Sequence, residues 1–384
     1  MKICHLSTFW PNRFGHTHYT NELIRGMQAH ESERHWVLAE HPSADTETDS
    51  YTCVPCFRRE QDYVDSILVE ARNLRPDVMI VQYSNDLFGD DNRFSRLLEA
   101  LRGEGILPVV NTHSIYPEHW KTSFRPERTA AAFDQAMARH AAMVQVHSPR
   151  MRMDLIARGV DEAKIAVIPH GSKPMEARDP LECRENLGIP KDARVVLFFG
   201  FIWLGKGLDF LLDVFKDVQR QVPDAYLLVA GHTRQSIAGI YVKYLKARTV
   251  MMGYSKRSRF WGGYVDDSMV PTIYSAADVV AMPYCQDYSS VSGVVHQTAG
   301  IGKLMLCSRN AKFDEVESID SQLTLPYGDR AGWTKGLVRL LKDEDFKQAM
   351  REKIIRFGME TSWNNVGRTH VDLCRRLTAN QKQS

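Results

Sequence analysis

The sequence predicts two successive α/β domains, each a doubly wound, Rossmann-like parallel sheet covered by helices, and three observations carry this. Short apolar runs alternate with helix-period segments from the first residues onward, the pattern of parallel strands joined by crossover helices. The chain has 384 residues, more than one hydrophobic core usually serves, so two domains are expected. Midway, SKPMEARDPLECRENLGIPKDA (172–193) is polar and carries three prolines and a glycine, as a domain connection should. After it the alternation restarts. The expected division is 1–180, 181–357, and a terminal helix over 358–384 that crosses back to the first domain.

In the first half, KICHLS (Lys2–Ser7) reads as a short buried strand. Gly15 stands just before a helix whose apolar face includes Tyr19, Leu23 and Met27, four residues apart. Further strands are expected at HWVLA (His35–Ala39), VMIVQY (Val78–Tyr83), LPVVNTH (Leu107–His113) and AMVQVHS (Ala142–Ser148), with KIAVIPHG closing the half. In the second half the strands are VVLFFG, YLLVAG, VVAMP (Val279–Pro283) and KLMLC, and a helix starts at Leu208. The basic, aromatic insertion HTRQSIAGIYVKYLKARTVMMGYSKRSRFWGG has no assigned structure. Val366, Leu373 and Leu377 mark the apolar stripe of the terminal helix. Doubly wound sheets bind ligands at the carboxyl ends of their strands, so two such domains facing each other predict a cleft as the site.

Composition narrows the function. Apolar content of 43% and charged content of 25% are those of an ordinary water-soluble globular protein. A net charge of +2 argues against nucleic acid as the main partner, because binding a phosphate backbone needs a basic surplus. No apolar run is long enough to cross a bilayer, and the N-terminus reads as a strand rather than a leader. Seven scattered cysteines fit reduced thiols and a cytoplasmic location. Cys53 and Cys56 form a CxxC, but no second CxxC or CxxH accompanies it, so no metal site is expected.

The stretch PYCQDYSSVSGVVHQTAGIGK (283–303) concentrates the chemistry. It reads as a strand end, a polar loop, and a helix opening at Ser292-Gly293, where the serine hydroxyl could accept a first-turn N–H. Gly302 is placed to end that helix. Free N–H groups and the positive dipole end of such a helix stabilise an anion. A second anion seat is GFIWLGKG (Gly200–Gly207), which puts Lys206 at a helix start. It lacks the GxxxxGK[ST] spacing of a P-loop. Two anion seats on one sheet edge suggest a diphosphate. His113 ends a strand at its carboxyl end, where it could donate to a sugar hydroxyl or accept a proton; a satisfied structural histidine is the competing reading. Asp278 is expected to cap or end a short helix. No GxGxxG follows the first strand, which weighs against a dehydrogenase.

In order, KICHLSTFWP…G, VVNTHS, VIPHGSK, FFGFIWLGKGLDFLL, GYVDD…YSAADVVAMPY and SGVVHQTAGIGK resemble the retaining glycosyltransferases of family 4, which have the GT-B fold. The resemblance spans nearly the whole chain. It implies transfer of a sugar from a nucleotide-activated donor with retention and without a metal cofactor, the donor on the second domain and the acceptor on the first. Position by position, Gly15 matches the first loop near donor phosphates and acceptor, His113 the histidine that reaches the transferred sugar, and Lys206 the lysine that neutralises the leaving diphosphate. Ser292, Gly293 and Val294 match the loop over sugar and phosphate, and Gln297 the glutamate that holds the ribose. The family has two glutamates eight positions apart where this chain has Ser289 and Gln297. A neutral glutamine should hold a diol less tightly than a carboxylate does, and Ser289 is too short to reach a sugar hydroxyl without a bridging water. Asp287 is the nearest carboxylate in this stretch. The arginine that accompanies the lysine is also absent, with Phe201 and Trp203 at the plausible positions and Arg234, Arg257 or Arg259 as substitutes.

The resemblance points to a UDP-sugar donor, glucose first, and to a sugar or lipid-linked glycan acceptor in cell-surface polysaccharide assembly. Two alternatives compete with it: a nucleotide-sugar binder that has lost catalysis, and a nucleotide-sugar epimerase of the same fold. Lys121, Arg125 and Arg128 form a modest basic cluster that could meet anionic lipid at the inner face of a membrane, against the commoner reading of a solvated surface.

Overall fold

The apolar runs of the sequence become strands that are buried along most of their length. A computed structural model describes residues 1–12, 14–89, 91–117, 130–233 and 238–382. In chain order the strands are β1 (Ile3–Ser7), β2 (His35–Glu40), β3 (Thr46–Glu47), β4 (Tyr51–Phe57), β5 (Val78–Tyr83), β6 (Leu107–Thr112), β7 (Ser114–Ile115), β8 (Met143–Val146) and β9 (Ile165–Val167). They continue as β10 (Arg194–Phe199), β11 (Ala225–Ala230), β12 (Ser258–Trp261), β13 (Val279–Met282), β14 (Ser289–Ser290), β15 (Leu304–Ser308) and β16 (Thr324–Leu325). The expected strands are present, with ends shifted by a residue or two. Strands β3 and β4 escaped the sequence reading, partly because Pro55 interrupts the pattern of β4.

The chain divides into two units. The first comprises Met1–Gly171, Tyr288–Val291 and Trp363–Ser384, the second Ser172–Asp287 and Ser292–Ser362. These bounds differ from the expected 180/181 and 357/358 for a local reason. The connection after Gly171 lies along the second unit: Ser172 N donates to Thr361 O at 2.7 Å, Met175 N to Gly300 O at 3.1 Å, and Arg178 N to Ser275 Oγ at 2.9 Å.

In the first unit the sheet order is β3-β4-β2-β1-β5-β6-β8-β9, parallel except for the β3–β4 pair. Every residue of β1, β5 and β6 is buried, as a sheet covered on both faces requires. The C-terminal helix (Trp363–Gln381) packs on the helix Gly15–Gln28. Two glycines allow the approach. A Cβ on Gly26 would lie 2.2 Å from Trp363 O, and one on Gly367 would lie 2.1 Å from the carbonyl carbon of Gly26.

In the second unit the order is β12-β11-β10-β13-β15-β16, all parallel. The basic insertion contributes the helix Ala238–Met251 and edge strand β12. That helix has no one-sided apolar pattern, which is why periodicity did not reveal it. The core of this unit is continuous through β10, β11, β13 and β15, with Trp333 and Phe215 among its largest buried side chains. Among the described residues no helix is long and apolar enough to cross a membrane.

Candidate functional site

Each sheet reverses its strand order at one place, where the crossovers leave on opposite faces and open a crevice at the carboxyl ends. In the second unit that place is between β10 and β13, neighbours in the sheet with β11 and β15 outside them. The loops leaving β10 and β13 are GFIWLGKG and the start of the PYCQDYSS stretch. They are joined locally: Cys285 N donates to Gly205 O at 3.1 Å. Gly207 is left-handed, φ 64°, and a Cβ there would sit 1.9 Å from Pro283 O, so both its conformation and its contact require glycine.

This joining places Lys206 on the aromatic face of Tyr284, with Nζ 3.6 Å from the ring centroid. Burial pushes the Lys206 ammonium well below its ordinary range, and the neighbouring charge of Lys312 adds to the shift. Tyr284 is 1% exposed, and among the described residues its hydroxyl has no hydrogen-bond partner. Its pKa is raised by burial, with Ser292 acting in the opposite direction. Ser292 is the N-cap of the helix Gly293–Gly300, as expected, but its hydroxyl does not make the expected capping bond. The first-turn N–H groups there lack that acceptor. Gly293 is exposed, Val294 half-buried, and Gln297 Oε1 accepts from the Tyr274 hydroxyl at 3.3 Å. Gly302 follows the helix with φ 67°, as expected of a helix-ending glycine.

Lys206, Ser292, Gly293, Val294 and Gln297 thus all belong to the second unit, and Gly15, His113 and Ser289 to the first. Arg234 lies outside the described residues, as do Lys121, Arg125 and Arg128. Arg259 is on edge strand β12, where its guanidinium approaches Gly188 and acts on Tyr226 at the amino end of β11, as Arg257 does. Neither is at the carboxyl ends that carry Lys206. The position expected of an arginine holds Phe201, whose ring meets His232 at 4.9 Å, and His232 in turn meets Tyr264. Asp278 has a structural role, though not as a cap: Oδ2 accepts from Val195 N at 2.6 Å and from Arg184 Nη2 at 2.9 Å.

In the first unit, Gly15 opens its helix, exposed and with open space on the side where a Cβ would stand. His113 follows β6 directly. Its Nε2 is 2.9 Å from Gln82 Oε1, an oxygen that also accepts from Asn111 Nδ2 at 3.1 Å. Its Nδ1 is 3.2 Å from His147 Nε2. Tyr19 lies at the centre of this cluster, its ring within 5.5 Å of the rings of His113, His147, His170 and Trp363. Burial holds the His113 pKa well below the ordinary histidine range, and His16, His147 and His170 reinforce it.

Strand β14 pairs antiparallel with β7, Ser289 opposite Ile115 and Ser290 opposite Ser114, next to His113. The Ser289 hydroxyl hydrogen-bonds Asp154 Oδ2. Asp154, on the helix Pro149–Ala157, also pairs with Arg150 at 3.4 Å. The carboxylate beside Ser289 is therefore Asp154, which local spacing could not reveal because it stands 135 residues earlier. Asp287, the nearer carboxylate in sequence, instead accepts from Ala311 N at 3.1 Å. Cys53 and Cys56 are free, with burial pushing each thiol up to about 12. No group of three or more histidine, cysteine or acidic residues among the described residues could hold a metal ion.

Comparison with known proteins agrees in both halves. Residues 14–171 match the family described as a glycosyl transferase 4-like domain, and residues 193–343 the family described as glycosyl transferases group 1. A D-inositol 3-phosphate glycosyltransferase of Corynebacterium urealyticum is 29% identical over 229 residues, covering 56% of this chain and 52% of the relative. The chain thus spans about half the length of that curated relative. Among solved structures, sucrose-phosphate synthase of Thermosynechococcus elongatus superimposes with a TM-score of 0.76 at 17% identity, over 99% of this chain and 100% of the other. Anabaena HepE in complex with UDP-glucose gives 0.76 at 14% identity, over 98% and 100%. With its two halves matching two glycosyl transferase domain families in turn, on a pair of doubly wound sheets, the chain has the GT-B fold of glycosyltransferases.

Proposed function

We propose that the protein is a retaining hexosyltransferase that moves a hexose, glucose first, from a UDP-sugar to a sugar or lipid-linked glycan acceptor in cell-surface polysaccharide assembly, without a metal cofactor. The observation that carries the reading is Lys206 on the ring of Tyr284, beside the uncapped start of the helix Gly293–Gly300. A cation, a buried hydroxyl and a helix start without a side-chain cap on the carboxyl side of β10 and β13 suit a diphosphate leaving group. The UDP-glucose named for Anabaena HepE supports the choice of donor. Gly293 and Val294 lie over sugar and phosphate, Gln297 meets the ribose, and Gly15 lets the donor phosphates and acceptor come close. His113 meets the transferred sugar, and Ser289 lies near it.

In this mechanism the bond from the anomeric carbon to the phosphate oxygen breaks, and its electron pair passes to the diphosphate. Lys206 and the helix start disperse that charge. Phosphate also favours the ammonium form of Lys206, offsetting the depression caused by burial. The acceptor oxygen bonds to the same face of the anomeric carbon, and its proton goes to the departing phosphate oxygen. A second reading of the acceptor, a small phosphorylated sugar or polyol, is favoured by the names of the inositol-phosphate and sucrose-phosphate relatives.

A calorimetric screen of UDP-, GDP- and ADP-sugars, followed by NMR of the transferred sugar with candidate acceptors, tests the reading. Turnover of a UDP-hexose with retained anomeric configuration is expected. Tight UDP binding with no transfer would point to a binder, and donor isomerised without an acceptor to an epimerase.

A further inference from the structure

The turn after β15 brings a second lysine into the neighbourhood of Lys206. Asn310 fixes that turn from two sides: its Nδ2 donates to Tyr284 O at 3.0 Å, and its Oδ1 accepts from Lys312 N at 3.1 Å. The Phe313 ring packs on Tyr284 with centroids 5.1 Å apart. Tyr284 thus carries Lys206 on its ring and the Asn310–Phe313 turn beside it. Lys312 is only 7% exposed, and taking an ammonium that far out of water is costly. Burial lowers its pKa to about 8, with Glu315 acting against the shift, and its charge in turn depresses Lys206. A dianion placed between them stabilises the charged form of both lysines at once.

We propose that Lys312 is a second phosphate-binding cation of this site, taking the diphosphate jointly with Lys206 and so supplying the charge that the missing arginine would have brought. The proposal rests on the donor reading above for the identity of the nucleotide, but the phosphate site itself can be probed without it.

The experiment is calorimetric binding of UDP and of inorganic pyrophosphate to the wild-type chain, Lys312→Met, Lys312→Arg and Lys206→Met. Lys312→Met should weaken both ligands about tenfold or more, the range for one lost charge-assisted hydrogen bond. Lys312→Arg should recover most of that loss, which separates charge from packing, and circular dichroism should show each variant folded. Wild-type affinity in Lys312→Met, alongside loss in Lys206→Met, would overturn the role of Lys312 and leave the donor reading standing. Lys312-dependent pyrophosphate binding without UDP binding would keep the phosphate site and reject the donor reading. Binding of neither ligand by the wild type would reject both.

Discussion

His147 Nε2 lies 3.2 Å from His113 Nδ1, and the other nitrogen of His113 is 2.9 Å from Gln82 Oε1. Because an amide oxygen can only accept, a hydrogen bond to it puts the His113 proton on Nε2 and leaves Nδ1 toward His147. Burial and three neighbouring histidines keep it uncharged. His113 should therefore remain neutral well below the pH at which an ordinary histidine gains its proton, which long-range proton–nitrogen NMR of the ring can read. A titration of His113 near its ordinary value of about 6.5 would contradict this arrangement.

Removing the Lys206 ammonium should reduce turnover more than it alters the fold. Lys206→Ala is expected to lower kcat by about 10²-fold or more, the scale for losing one donor that stabilises a developing anion. Steady-state kinetics with the donor found in the screen checks it, and near-normal turnover would remove this role.

Gln297 is a neutral group where a carboxylate would bind a diol more strongly. Tyr274 already donates to it, so Gln297→Glu keeps a partner for the new charge. Binding of UDP should tighten roughly threefold to tenfold, corresponding to about 1 kcal/mol. Uridine diphosphate titrations of the two proteins compare directly.

The contact between the helix Gly15–Gln28 and the C-terminal helix tolerates no side chain at Gly367. Gly367→Ala should destabilise the first unit by about 1–3 kcal/mol, the usual cost of overpacking. Thermal melts and limited proteolysis after residue 362 report it. An unchanged melting temperature would show that the helices separate easily.

His5 Nε2 and His35 Nδ1 share one proton at 3.0 Å in the core of the first unit. Burial lowers the His35 pKa to about 4, partly offset by Glu33, and also depresses that of His5. An unfolded histidine titrates near 6.5, so the unfolded state binds more protons below that pH. Stability is full above about pH 6.5 and falls as pH drops toward 4, by roughly 3 kcal/mol for His35. Melting temperatures across this range should fall in the wild type and fall less in His35→Gln.

The sequence by itself determined the alternation of buried strands and helices, and with it the two sheets. Apolar runs such as Val78–Tyr83 are local, and burial on both faces leaves them one reading. It also marked Lys206 and the Ser292-Gly293 helix start, because glycines and a lysine at a strand-to-helix turn are contiguous. Only the tertiary structure decided which partners these residues meet. Asp154 reaches Ser289 across 135 positions, Asn310 and Phe313 bring the turn that holds Lys312 against Tyr284 after another strand, and the expected serine cap is not made. Such contacts depend on which strands neighbour one another and on where glycines let backbones touch, and no local pattern in the chain encodes that.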